Sequence, residues 1–150
     1  MTSTLLFSPN GRIGRRDFWI GFAFVMVASM LAGALPIVGP VLGLVLIWPQ
    51  VVIHIKRLHD FGWSGWLLLL PFAVSLVCTL LMIASGGQAL AGAQPAEFVK
   101  LIAAPQMRKP LVYLEVAFAV EVAFLCWVGF TKGDAEANKF GAAPAQASRN

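Results

Sequence analysis

Residues 18–55 read FWIGFAFVMVASMLAGALPIVGPVLGLVLIWPQVVIHI, 38 consecutive positions without one Asp, Glu, Lys or Arg. As a single helix this run would be about 57 Å long, nearly twice the hydrocarbon thickness of a bilayer, so it must fold back on itself. Pro36-Ile37-Val38-Gly39-Pro40 marks the reversal, because proline removes backbone donors and glycine tolerates turn dihedrals. The run therefore reads as a helical hairpin with spans at 18–35 and 37–55.

Working outward, Phe61 to Ala96 is a second uncharged run of 36 residues, and it holds a third span at 66–85. A fourth fits 111–130 despite Glu115 and Glu121, since the rest of that window is Val, Ala, Phe, Leu and Trp. Composition agrees: charged residues are 12% of the 150 and hydrophobic ones 59%, against about 25% charged in soluble domains. A water-soluble core is excluded. Strands would need alternation and closure into a barrel, and neither pattern is present. The expected fold is an all-α membrane protein of four transmembrane helices in two hairpins. Residues 1–17 form an interfacial N-terminal segment, 18–130 the transmembrane domain with an outer loop at 86–110, and 131–150 a tail expected to lack order beyond Pro144.

Lys and Arg set the orientation. Arg12, Arg15, Arg16, Lys56, Arg57, Lys132, Lys139 and Arg149 fall on one side of the four spans, against Lys100, Arg108 and Lys109 on the other. The positive-inside rule then puts both termini and the 56–65 connection in the cytoplasm, and Trp19, Trp63, Trp66 and Trp127 fall near that same interface. In the outer loop, 96–104 has the pattern of a short surface helix, with Phe98, Leu101 and Ile102 on one side. Arg15-Arg16 ahead of an apolar stretch ending in Ala32-Gly33-Ala34 has the outline of a twin-arginine export signal. The stretch is too long for that, and further spans follow at once, so retention as a membrane span is expected.

Chemistry-bearing residues are few. Cys78 and Cys126 sit at different depths of antiparallel spans, about 18 Å and 6 Å from the cytoplasmic end by helical rise, too far apart for a disulfide. Both read as small buried hydrophobes. His54 and His59, five residues apart, do not share a helix face, and no metal-ligand spacing, P-loop or nucleophile elbow accompanies them. No enzyme activity, cofactor or metal is expected. Glu121, midway along the fourth span, is costly in hydrocarbon. It is expected either to serve as an ion or proton site or to hydrogen-bond across helices, with Ser29, Gln50, Ser75 and Thr79 as candidate partners. Gly39 and Gly43 form G-x-x-x-G, and Ser29/Gly33 and Ala119/Ala123 are small pairs at the same spacing, which lets helices approach closely.

The densest signal lies in two cytoplasmic segments, Gly11-Arg12-Ile13-Gly14-Arg15-Arg16-Asp17-Phe18-Trp19 and Lys56-Arg57-Leu58-His59-Asp60-Phe61-Gly62-Trp63-Ser64-Gly65-Trp66. Topology, anchoring and turn formation explain many of these residues; Asp60 can pair with Arg57, and Ser64 or Asp60 can cap the third span. What remains is Arg, His and Asp gathered in one tight interfacial turn. Together with Gly133, Asn138, Phe140, Gly141 and Pro144, the two segments resemble the bacterial inner-membrane family called domain of unknown function 805. The matching positions are Gly11, Arg12, Ile13, Arg15, Phe18 and Trp19, then Arg57, Leu58, His59, Asp60, Gly62, Ser64, Gly65 and Trp66. Lys56 stands where the family usually has a second arginine, and Asp134 to Ala137 lengthen the tail motif. The resemblance implies a small four-helix inner-membrane protein and no established activity.

The site expected from these residues is Arg12, Arg15, Arg57, His59, Asp60, Ser64 and Trp66, contacting lipid or a protein partner. Membrane lipids with anionic head groups are the expected partners, alongside a protein partner or a second copy of the chain; nucleic acid is not expected. The alternative is a small transporter or channel subunit using Glu121 and the proline of the second span, Pro49.

Overall fold

The computed structural model describes residues 6–90 and 93–144. The segment beyond Pro144, expected to lack order, lies outside the described residues. The main helices among the described residues are α1 (Arg15–Gly33), α2 (Gly39–Asp60), α3 (Leu69–Ala84), α4 (Pro95–Ala103) and α5 (Arg108–Phe130). Short 3-10 turns at Gly65–Leu68, Gly87–Leu90 and Pro105–Met107 adjoin α3 and α5. Four stretches are long and apolar enough to cross a membrane: Arg15–Gly33, Gly39–Asp60, Gly65–Ala84 and Pro105–Phe130. Among the described residues the sole extended pairing is the isolated Asn138–Gly141 bridge. The fold is all-α, as the apolar runs require.

The chain divides into two compact units, one running to Leu68 and resuming at Trp127, the other Leu69–Cys126. In the first, α1 buries Phe18, Gly21, Val25 and Ala32, whose spacing of three, four and seven residues draws one stripe along the helix. That stripe packs on α2, with the Phe18 ring edge-on to His54 at 5.2 Å. Buried positions of α2 crowd toward its end: Val52, Ile53, His54, Lys56, Arg57, Leu58 and Asp60. Elsewhere the apolar side chains face outward, Ile37 at 88% exposure and Met30 at 72%. So much exposed apolar surface belongs in lipid, where burial of hydrocarbon against protein gains little and tight packing is needed only where polar groups must be shielded.

In the second unit, Ser75 on α3 donates through Oγ to Glu121 Oε1 on α5 at 2.7 Å, which selects one of the four partners the sequence left open. Glu121 itself is exposed, as is Cys126, which the sequence placed among buried hydrophobes; Cys78 is buried, and both thiols are free. Helix α4 coincides within a residue with the short surface helix expected at 96–104, with Phe98, Val99 and Ile102 exposed.

One boundary departs from expectation in a way that matters. The sequence ended the second span at Ile55 and placed Lys56 to Trp66 in a turn, whereas α2 continues through Asp60. Its end is a Schellman cap: the Gly62 amide donates to the His59 carbonyl at 3.2 Å and the Trp63 amide to the Leu58 carbonyl at 3.0 Å. Gly62 has φ +81°, the left-handed conformation this cap demands and side chains disfavour. Charge on Lys56, Arg57 and Asp60 did not end the helix, because the last turn is packed inside protein, where each group is shielded.

Candidate functional site

The exposed carbonyls at a helix C-terminus need outside donors, and basic side chains suit them electrostatically. At the end of α2 those donors come from the segments before α1 and after α5. The Asp60 carbonyl accepts from the Asp134 amide at 2.8 Å and from Arg12 Nη2 at 3.1 Å; the His59 carbonyl accepts from Asn138 Nδ2 at 3.0 Å. The N-terminal segment, the end of α2 and the C-terminal tail therefore meet at one place.

Asp60 is the hub. Its Oδ1 takes Arg12 Nε at 3.2 Å and Nη2 at 3.1 Å, and its Oδ2 takes Arg57 Nη1. The side chains of both arginines are 0% exposed and that of Asp60 4%. One carboxylate bridging two guanidiniums leaves one positive charge in excess, and a buried arrangement of this kind holds only when the remaining donors are satisfied. They are met mainly by carbonyls. Arg12 Nη1 reaches the carbonyls of Glu136 (2.7 Å) and Gly141 (3.3 Å), and Nη2 that of Asp134 (2.6 Å). Six contacts for five N–H groups leave Arg12 fully engaged. Arg57 donates from Nε to the Val128 carbonyl at 3.1 Å and from Nη2 to the Thr131 carbonyl, with Phe61 beneath its guanidinium at 5.6 Å. Val128 lies in the last turn of α5 and Thr131 directly follows it, so Arg57 ties α2 to the end of α5 as Arg12 ties the tail to α2.

The tail is shaped to fit. Asn138 closes a small loop with Gly141 through paired backbone bonds of 3.0 and 2.9 Å, and its side chain accepts from the Phe140 amide while donating to Asp134 Oδ2. This loop lays the Phe140 ring flat on His59, 3.8 Å apart and 5° from parallel. At Gly133 a Cβ would overlap the Asp60 carboxylate, so only glycine lets the chain pass there. Asp134 and Glu136 in this tail each supply a carbonyl that Arg12 binds.

Beside this network lies a cavity of about 330 Å³ whose lining includes Arg15, Arg16, Arg57, Asp60, Lys132 and Asp134. Arg15, Arg16 and Lys132 are exposed, and no described residue forms a hydrogen bond or ion pair with their head groups. Four cations against two carboxylates make the cavity a basic one.

Of the seven residues expected at the site, Arg15, Arg57 and Asp60 line this cavity. Arg12 and His59 hold the tail. Ser64 and Trp66 stand apart at the start of the third span, where Ser64 Oγ accepts from the Trp66 amide at 3.4 Å and the Trp66 residue is 78% exposed. Asp60 caps no helix start. Arg16 and Lys132 entered the sequence reading only as topology charges; their place in the cavity depends on the tail folding back, for which the Gly133 and Asn138 to Gly141 pattern was the available signal. Among the described residues no group of three or more His, Cys, Asp or Glu is placed to hold a metal ion.

A family model described as "Protein of unknown function (DUF805)" matches residues 6–142. Two curated relatives, each named "Uncharacterized protein YiiR", from Escherichia coli strain K12 and from Escherichia coli O157:H7, are 48% identical over 80 residues. The match takes in 48% of this chain and 55% of each relative, so the chain spans about half the length of the curated relatives it matches. No solved structure matches.

Proposed function

Because the chain belongs to the DUF805 family of unknown function, no relative supplies an activity, and we propose that it is a non-enzymatic inner-membrane protein whose polar end binds anionic lipid. Both termini face the cytoplasm in this reading, in line with the concentration of Lys and Arg on that side.

The observation that carries it is the basic cavity at the edge of the spans. Arg15 and Arg16 open the first membrane-crossing helix, and Lys132 stands two residues after the last one ends at Phe130. Trp19 and Phe130, 5.2 Å apart, mark the interfacial level on both of those helices. Basic groups at that depth meet the negatively charged leaflet, where each is worth about 1 kcal/mol near the surface. Arg12, Arg57, Asp60, His59 and the tail act as the frame that fixes the cavity wall, while the exposed Arg15, Arg16 and Lys132 meet the ligand. Ser64 and Trp66 seat the third span. The test is lipid selectivity in mixed bilayers, read from the motionally restricted fraction of spin-labelled lipids. Anionic lipid is expected to outcompete zwitterionic lipid for the reconstituted protein, and reversing Arg15, Arg16 and Lys132 to glutamate should abolish the preference. An unchanged preference in that variant would overturn the reading.

The second reading, an ion or proton path through Glu121, draws on the Ser75 hydrogen bond to a carboxyl halfway along a span. It requires a flux across proteoliposomes that Glu121→Gln removes; flux indifferent to that substitution would dismiss it.

A further inference from the structure

The headgroup reading leaves open which anion the cavity suits, and the cavity's own chemistry narrows it. Resting on that reading, we propose that the cavity lined by Arg15, Arg16, Arg57 and Lys132 is a phosphomonoester site, taking a terminal phosphate such as a lipid carries when its headgroup is phosphate alone.

Three observations support this. First, the lining has an excess of two positive charges over its carboxylates, since Arg15, Arg16, Arg57 and Lys132 face Asp60 and Asp134. A phosphate monoester carries close to two negative charges at neutral pH and three terminal oxygens, whereas a phosphodiester carries one charge and two free oxygens. Second, the donors match that count. No described residue takes the head groups of Arg15, Arg16 and Lys132, three cationic groups for three terminal oxygens. Arg57 is the built part of the site: its side chain is 0% exposed, and it is fixed by Asp60, the Val128 carbonyl and the Thr131 carbonyl before any ligand arrives. Buried and held by protein, it contributes its charge from behind the wall, while exposed planar arginines such as Arg15 and Arg16 suit phosphate oxygens in pairs. Third, about 330 Å³ lies at the small end of the range for ligand cavities, large enough for phosphate with its ester carbon and small for a bulky polar headgroup.

The same chemistry reaches the cavity from two sources, a membrane lipid or a soluble phosphate ester. Arg15, Arg16 and Lys132 each lie within two residues of a span end, which favours the lipid. The experiment separates them. The full chain is reconstituted in nanodiscs of zwitterionic lipid doped with phosphatidic acid or with phosphatidylglycerol at matched surface charge, and retained lipid is counted per chain, with glycerol 3-phosphate as the soluble competitor. One phosphatidic acid per chain is expected, retained at least about tenfold over phosphatidylglycerol, with the preference lost in Lys132→Ala or Arg16→Ala. Both positions are exposed, so neither change disturbs the buried network. Displacement by glycerol 3-phosphate would assign the site to the phosphate group itself; retention despite the competitor would assign it to the intact lipid, and either supports the proposal. Equal retention of the two lipids, with both still preferred over the zwitterionic one, overturns the monoester site and leaves the headgroup reading standing. Retention of neither lipid overturns both.

Discussion

Replacing Asp60 with asparagine removes the charge on which the whole polar end converges while keeping the side chain's size. In the native chain the carboxylate receives Arg12 through Nε and Nη2 at 3.2 and 3.1 Å and Arg57 through Nη1, with all three side chains at 4% exposure or less. The amide keeps one acceptor oxygen, but its NH2 group must face a guanidinium, leaving two buried positive charges uncompensated. Removing one partner from a buried ionic cluster costs about 3–5 kcal/mol, a large part of the 5–15 kcal/mol that typically holds a domain together. The loss should appear first in the tail. Amide exchange at Asp134, Asn138 and Gly141 should accelerate by two orders of magnitude or more, since about 1.4 kcal/mol is tenfold, while the apolar parts of α1 and α2 keep their protection. Thermal unfolding followed by tryptophan fluorescence should shift downward in parallel, because Trp63 and Trp127, 5.8 Å apart, sit beside the network. Substituting Arg12 and Arg57 with methionine and Asp60 with leucine together should recover much of the stability, as replacing a buried ionic group with apolar residues is often neutral or better. Asp60→Asn with tail protection intact and a stability change under about 1 kcal/mol would refute the argument that charge neutralisation holds this end together.

Three further perturbations probe separate parts of the account. Gly133→Ala places a methyl against the fixed Asp60 carboxylate and should destabilise by about 1–3 kcal/mol, measured by thermal melting, with the tail displaced. Phe140→Ala removes the flat stack on His59, worth about 0.5–1.5 kcal/mol, and should raise exchange at the Asn138 and Gly141 amides without lowering the melting of the spans. Reporter fusions at the C-terminus should be active only for a cytoplasmic reporter; activity of a reporter that works outside would reverse the proposed orientation.

The apolar frame was open to reading because it depends on bulk physics: 38 uncharged residues cannot stay in one span, and the prolines and glycine at Pro36 to Pro40 mark where the chain turns. The polar end was legible in its members and not in its geometry. Asp60 pairing with Arg57 follows from their spacing of three on a helix, once the helix is allowed to reach them, and Gly62 was the sign that it does. Charge density argued for a turn there, and packing overruled it. The bond from Arg12 to Asp60 spans 48 residues, and those from Arg12 to the tail carbonyls span 122 or more; no local pattern encodes such a separation. Arg12 therefore looked like a group free to meet lipid, when its N–H groups are spent on the chain. Lys132 looked like a topology charge and becomes a cavity wall only because Gly133 lets the tail pass over Asp60. Glu121's partner was undecidable for a related reason, since four hydroxyl or amide groups lay at plausible depths and only the packing of α3 on α5 chooses Ser75.

The central claim is that the polar end of this protein holds an anionic lipid through Arg15, Arg16 and Lys132, and native mass spectrometry from lipid-preserving nanodiscs tests it most directly. The account predicts anionic lipid carried with the wild-type chain and absent from the chain with all three residues reversed to glutamate, both with the same melting temperature. The same lipid complement on both chains, or a wild-type chain that carries zwitterionic lipid alone, would contradict it.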